Sequence, residues 1–445
     1  MDLVAASTLE WKQTGAQVPS ELPATPAGSD QLGRWIGMQA RTAVRHAAAI
    51  RPFVRGEFGD SPASPGDAHL EAANELTRDL RVQVLEMSRQ MVAAARAAIR
   101  SPGRNNMRRL LETKEGMLHR VRRTEDIWKF YLELFNQRQT RYGPMLLACD
   151  RIALDCYQYV YTGLGRARPV PSPAPFCYME AGFSPATYGR GSLMPRLGRR
   201  RNPFPLIQLP HHRLQNPWTL GAVLHESGHN LQNDLGLCKA VPLTIAQKLL
   251  SAGFSPRVAK VWARWNRETW ADLIAVLLGG PEIVASLMDV AARSPQSTQR
   301  FSGADVHPTP WLRVLINIEL LRRMGFEDRA REFTKAWDRL YGQPEPGWIP
   351  RELLATFPQA RDIVVDAIAC TSYQQLGNQS LAKAFLFGAR DQAMVEEAAR
   401  RLAASRDPGI VPAIFLIGAA RHALDRRWAS PGAIARNFYR ALVKR

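Results

Sequence analysis

Cysteine is scarce in this chain of 445 residues: Cys149, Cys156, Cys177, Cys238 and Cys370 are all there is. The number is odd, the positions are scattered, and no CxxC pair occurs. That argues against a disulfide framework and for reduced thiols. Long apolar runs are missing as well. LIAVLLG at 273–279 falls far short of the roughly 18–20 residues a membrane span needs. The opening MDLVAASTLEWKQTG lacks a basic segment followed by an apolar core, so a secretory leader is not expected. Together these absences predict a cytoplasmic protein with no membrane span. Internal repeats and long low-complexity tracts are also lacking. With 46% hydrophobic and 22% charged residues the composition is globular, which excludes a collagen-like or wholly disordered chain.

Acidic residues are outnumbered, 40 against 59 basic ones, and nearly all of the net charge of +19 is arginine. A partner carrying phosphates or carboxylates is one reading of that charge. The other, preferred here, is charge spread over a solvated surface. The densest cluster, Arg196, Arg199, Arg200 and Arg201, sits in a Gly/Pro-containing loop. No nucleic-acid motif accompanies it, and aromatic residues are not interleaved with the basic ones. Nucleic acid as a partner therefore stays open but is not favoured.

The length allows two or three domains or one large one. Residues 1–30, rich in Pro, Ser, Thr and Ala, read as a disordered N-terminus. A helical N-terminal region follows over 31–165. In it Leu76, Leu80, Val84, Met87 and Met91 recur along one face of a helix over 68–100. SPGRN breaks that helix, and further helices are predicted over about 106–137 and 143–163. GRARPVPSPAP at 165–175 cannot be helical and reads as a linker. Short β-like pieces come next, FCYME at 176–180 and FPLIQLP at 204–210. They open a core over 166–345, and 346–445 is expected as a helical C-terminal region. The predicted fold is mostly α with a small sheet.

The informative stretch is NPWTLGAVLHESGHNLQNDLG, 216–236. Asn216 suits an N-cap, Pro217 the first helical position and Gly236 the residue after the C-cap. His225 and His229, four apart, then project from one helix face, where two imidazoles can hold one Zn²⁺. Glu226 leans toward the open side of such a metal and can take a proton from its water. Gly228 is costly in mid-helix, and close packing on that side would explain it. A third ligand is needed. Glu268 in NRETWADLIAVLLG is the candidate, and Asp272, one turn on, can accept the free N–H of a ligand histidine and orient it.

HESGH followed by ETWAD resembles the HExxH…ExxxD signature of gluzincins, the thermolysin-like zinc metallopeptidases. The resemblance covers about 176–290 and implies a zincin-like core. It implies one Zn²⁺ per chain on His225, His229 and Glu268, with Glu226 as general base, Asp272 behind the ligands, and a peptide or protein substrate. The 38 residues between His229 and Glu268 exceed the thermolysin spacing, and a helix over about 242–253 would fill the insertion. Such enzymes place a strand edge beside the substrate, for which 204–209 is the candidate. YMEAG at 178–182 is partly similar to the GxMEN strand of gluzincin aminopeptidases. An oxyanion would need a donor besides zinc. His307, in a loop ahead of a helix, is the candidate, with Tyr188 and Tyr178 as further possible oxyanion or substrate contacts. Two other readings remain open: a non-catalytic zinc-site protein acting as a binding or scaffold module, and a nucleic-acid-associated protein using its basic surface.

Overall fold

The computed structural model describes residues 30–165 and 170–444. Most of the expected disordered terminus, and part of the expected linker, lie outside the described residues. The described chain is mostly helical with a small sheet. Its described residues divide into two compact units: 30–139 with 191–203, and 140–165 and 170–190 with 204–444.

The first unit is built on α1 (Gln31–Ala49), α2 (Asp67–Arg100) and α3 (Arg104–Asn136). Asp30 caps α1 by accepting from the Gly33 N–H at 2.7 Å. The periodic face of α2 is buried at Leu80, Val84 and Met91, with Leu76 and Met87 half-buried. It packs on Ile36 and Ala40 from α1 and on Leu110, Met117 and Val121 from α3. The arginine cluster folds into this unit. Leu193–Met194 pair antiparallel with Arg200–Arg201, closed by a short turn at Pro195–Leu197 and two left-handed residues, Gly198 and Arg199. The cluster is thus a tight ribbon, where the sequence suggests only a loop.

The second unit begins with α4 (Gly143–Gly163), which the sequence groups with the N-terminal helices. Its placement follows from its surface: Leu146, Cys149, Ile152, Cys156, Tyr157 and Val160 are buried in the same core as the residues of the C-terminal helices. Residues 346–445, expected as a separate region, also contribute to that core, from Leu353 to Leu442. Strands β1 (Phe176–Met179), β2 (Ala186–Tyr188) and β3 (Leu206–Leu209) form one small sheet. β3 is central, parallel to β1 (Phe176 opposite Leu206) and antiparallel to β2 (Thr187 opposite Ile207). The expectation that 204–209 offers a free edge is therefore corrected: both edges of β3 are consumed by ladders, and the unpaired edges are the outer ones of β1 and β2.

Helices then fill the unit: α5 (His211–Gln215), α6 (Gly221–Asp234), α7 (Ala240–Ser251), α8 (Pro256–Gly279), α9 (Pro281–Ala291), α10 (Pro295–Gln299) and α11 (Pro310–Arg323). The rest of the chain adds further helices from Glu327 to Val443. α6 begins later than the sequence predicts. Asn216 and Pro217 start a separate 3-10 turn, closed by Thr219 N–H to Asn216 and Leu220 N–H to Pro217, and the α-helix opens at Gly221. Its other end is as read: Gly236 is left-handed, and the Leu237 N–H closes back on the Gln232 carbonyl at 2.9 Å. α7 fills the insertion before α8. Ser255 caps α8 at the Val258 N–H, and from Trp270 to Gly279 every residue of α8 is buried, so it is the central helix of the unit.

α6 and α8 approach closely at Gly228. A Cβ there would lie 2.6 Å from Ile274 Cγ2 and 3.0 Å from the Ala271 Cα. The Trp270 indole N–H donates to the Gly228 carbonyl at 3.0 Å, locking the crossing. That contact accounts for a glycine in mid-helix. Gly228→Ala should therefore lower stability in chemical denaturation by about 1–3 kcal/mol, the scale of overpacking. A variant as stable as wild type would show that the crossing can open at little cost.

Candidate metal centre

The α6–α8 crossing brings one turn of each helix face to face. His225 and His229 project from α6 toward Glu268 on α8. The two Nε2 atoms are 3.1 Å apart, His225 Nε2 is 3.3 Å from Glu268 Oε2, and His229 Nε2 is 3.4 Å from Glu268 Oε1. These three residues are the one group among the described residues whose ligand atoms all lie within 4.8 Å of one another. Ligands at 2.0–2.1 Å from a tetrahedral ion are separated by about 3.3 Å, so these spacings fit a zinc-sized ion. The donor set, two imidazoles and a carboxylate, leaves a fourth position open.

The surroundings fix His225 more firmly than His229. Asp272, one turn beyond Glu268, meets His225 Nδ1 at 2.8 Å. Arg313 from α11 clamps that carboxylate with two bonds, Nε to Oδ2 at 2.5 Å and Nη2 to Oδ1 at 2.8 Å. The chain Arg313–Asp272–His225 orients the ring and leaves Nε2 for the metal. His229 Nδ1 is buried without a hydrogen-bond partner, so packing alone sets that ring.

Burial works against a charged His225, but the hydrogen bond and charge of Asp272, with help from Glu268, raise it to about 10. Burial lowers His229 to about 4. Of the two rings, His225 thus favours its charged form and His229 its neutral form. Burial would raise Glu268, yet hydrogen bonds from His225, His229 and His307 hold it far below the usual carboxylate range. Asp272 is held at about 2: burial opposes ionisation, and Arg313 outweighs it.

Two further predicted residues stand at the site. Glu226 is buried, lines the same cleft and is pushed up to about 7, chiefly by burial, against the charge of His225. His307, in the loop before α11, places Nε2 at 3.2 Å from Glu268 Oε2 and Nδ1 at 2.8 Å from Asp305. The Glu268 hydrogen bond raises its pKa, so it favours the charged, donating form. The cleft, of about 440 Å³, takes one wall from Ser184, Pro185, Ala186 and Thr187, beside or within the open edge strand β2.

The tyrosines are corrections. Neither Tyr178 nor Tyr188 lines the cleft. Tyr178 is buried in the sheet and donates to Gln208 at 3.2 Å, because alternation along β1 turns it toward β3. Met179 and Glu180 of YMEAG are not part of the cleft wall either. Sequence reasoning missed Arg313, one arginine among many, and the strand 186–188. It also missed Asp305, although Asp-x-His in one loop was a usable signal.

The chain matches no protein-family model, no curated protein and no solved structure. The geometry therefore stands on its own.

Two predictions follow from it. Glu268→Ala should abolish or greatly weaken zinc binding, since two histidines alone under-coordinate the ion, while Asp272→Ala should weaken it roughly 10–100-fold. Wild-type affinity in Glu268→Ala, by competition with a chelating dye, would remove Glu268 from the site. The raised His225 sets a sign for pH. Its proton is present at neutral pH and leaves as pH rises toward about 10, so a metal must displace it. Zinc affinity should rise with pH across that range, and calorimetry in buffers of different ionisation enthalpy should register about one proton released per ion near pH 7. No proton release would mean that both rings are already neutral.

Proposed function

We propose that this chain is a zinc-dependent metallohydrolase, acting as a peptidase of the gluzincin type with a zincin-like core. The observation that carries the proposal is the convergence of His225, His229 and Glu268 at tetrahedral spacings, with Glu226 in the same cleft. Glu226 separates an enzyme from a structural site: a closed, four-ligand site has no use for a base beside it. A zinc ion bound by the three residues would polarise a scissile carbonyl and make a water acidic enough to attack near neutral pH.

The chain's own groups supply the remaining steps. Glu226 is the general base. It takes the attacking water's proton and returns it to the leaving amine, a role suited to a carboxyl group poised near 7. His307, held by Asp305 and drawn in by Glu268, is placed to donate a hydrogen bond to the oxygen that gains charge as the carbonyl is attacked. Asp272 and Arg313 hold His225 in orientation throughout. The open edge of β2 gives an extended peptide backbone something to pair with, as strand addition does elsewhere.

Glu226→Gln keeps the size of the side chain and removes the basic oxygen. It should retain the fold and about one zinc per chain while peptide hydrolysis falls by roughly 10²-fold or more. His307→Ala should lower kcat by on the order of 10²-fold with zinc retained. The assay is cleavage of a peptide library, with metal content measured on each protein. Equal cleavage by wild type and Glu226→Gln would defeat the mechanism. A zinc-loaded wild type that cuts no peptide or protein would turn the reading toward a non-catalytic site.

A further inference from the structure

Arg213, on the short helix α5 just ahead of α6, lines the same cleft as Glu226 and His225. Its Nε is buried and has no hydrogen-bond partner. Among the described residues its guanidinium makes neither a hydrogen bond nor an ion pair. The contrast with Arg313 is sharp, because that guanidinium is matched by both oxygens of Asp272. Two charged groups bear on Arg213 from a neighbouring helix and its end. Asp289 favours its charge and Arg293 disfavours it, while burial lowers its pKa. Asp289, however, is already bonded to Arg421. Arg213 is therefore a half-buried cation with no counter-ion, facing a cleft. A partly desolvated charge without a partner costs free energy, and an anion that enters the cleft recovers it.

The wall around it narrows the choice of anion. Ala222, Val276, Ile283 and Leu287 give the cleft apolar lining, and Ser286 crowds Gly221, whose Cβ position would lie 3.0 Å from Ser286 Oγ. A guanidinium beside apolar lining, in a cleft that also carries Arg267 and Arg313, suits a carboxylate on a short aliphatic stem, which can accept two parallel hydrogen bonds. The adjoining cleft, of about 660 Å³, carries Arg293 and Arg300 and shares Leu287, His307 and Arg313 with the first. In that adjoining cleft Arg293 and Arg300 stand against the single carboxylate of Asp305, so the charge balance there favours an acidic ligand.

We propose that Arg213 is a specificity residue that binds a carboxylate of the substrate beside the bond to be cut. The proposal rests on the peptidase reading above and goes beyond it by naming the substrate class. The carboxylate can belong to an acidic side chain or to the free C-terminus of the peptide.

The test uses one peptide sequence carrying Glu, Gln or Lys at each position flanking the bond, each with an amidated and with a free C-terminus. Cleavage is measured with the zinc-loaded protein, and binding is measured by fluorescence anisotropy on Glu226→Gln. Peptides with a carboxylate should be preferred by about 10–100-fold over their neutral counterparts, the worth of a hydrogen-bonded charge. Preference for Glu over Gln in amidated peptides assigns the side chain, and preference for the free terminus assigns the α-carboxylate. Arg213→Gln should lose the preference, and Arg213→Glu should shift it toward Lys, with zinc content and circular dichroism reporting an intact fold. Equal cleavage of all six forms would overturn the inference and leave the peptidase standing. If no peptide is cut, the peptidase reading fails, and the anisotropy arm decides alone. Tighter binding of carboxylate peptides that is lost in Arg213→Gln upholds the subsite, and equal binding sinks it.

Discussion

The candidate site depends on how closely two helices can approach. Gly228 lets α6 lie against the backbone of Ala271 on α8, with the Trp270 indole bonded to the Gly228 carbonyl. The same register puts Glu268, three residues before Ala271, opposite His225 and His229, and Asp272, one residue after it, behind His225. A helix pair held a methyl group further apart would carry the same side chains without bringing their tips within 3.1–3.4 Å. Packing in the core is thus what sets the spacing of the polar groups above it.

The second constraint is charge. Burying two carboxylates and two imidazoles in one small volume is unfavourable unless every charge is matched. Arg313 answers Asp272, and Glu268 meets the imidazoles of His225, His229 and His307. Glu226, close by but without a comparable partner, is pushed toward neutrality by burial. Two neighbouring carboxylates are thereby shifted in opposite directions, Glu268 down and Glu226 up.

Arg213 breaks this matching. Asp272 and Glu268 at the metal centre are met by hydrogen-bonded partners, whereas the buried Nε of this guanidinium, in the same cleft, has none. That asymmetry is the reason to look for its partner in the substrate.

Much of this was readable from the residues. The HESGH helix followed by ETWAD gave the ligand candidates, because spacings of three and four along a helix fix which side chains share a face. The breaks at SPGRN and Gly236, and the burial of Leu80, Val84 and Met91, also followed from local chemistry and period. The assignment of α4 and of residues 346–445 to the same core did not, since the apolar face of a helix does not say which partner it buries against. The late start of α6 turned on a 3-10 turn whose residues suit an α-helical N-terminus equally well. Tyr178 looked like a contact until strand alternation sent it into the sheet. The pairing of Arg313 with Asp272, the occupied edges of 206–209 and the isolation of Arg213 depend on contacts between segments far apart in the chain. Sequence determined what each helix face could offer; only the tertiary structure decided which faces meet, because the distance between two helices is set by the packing of both at once.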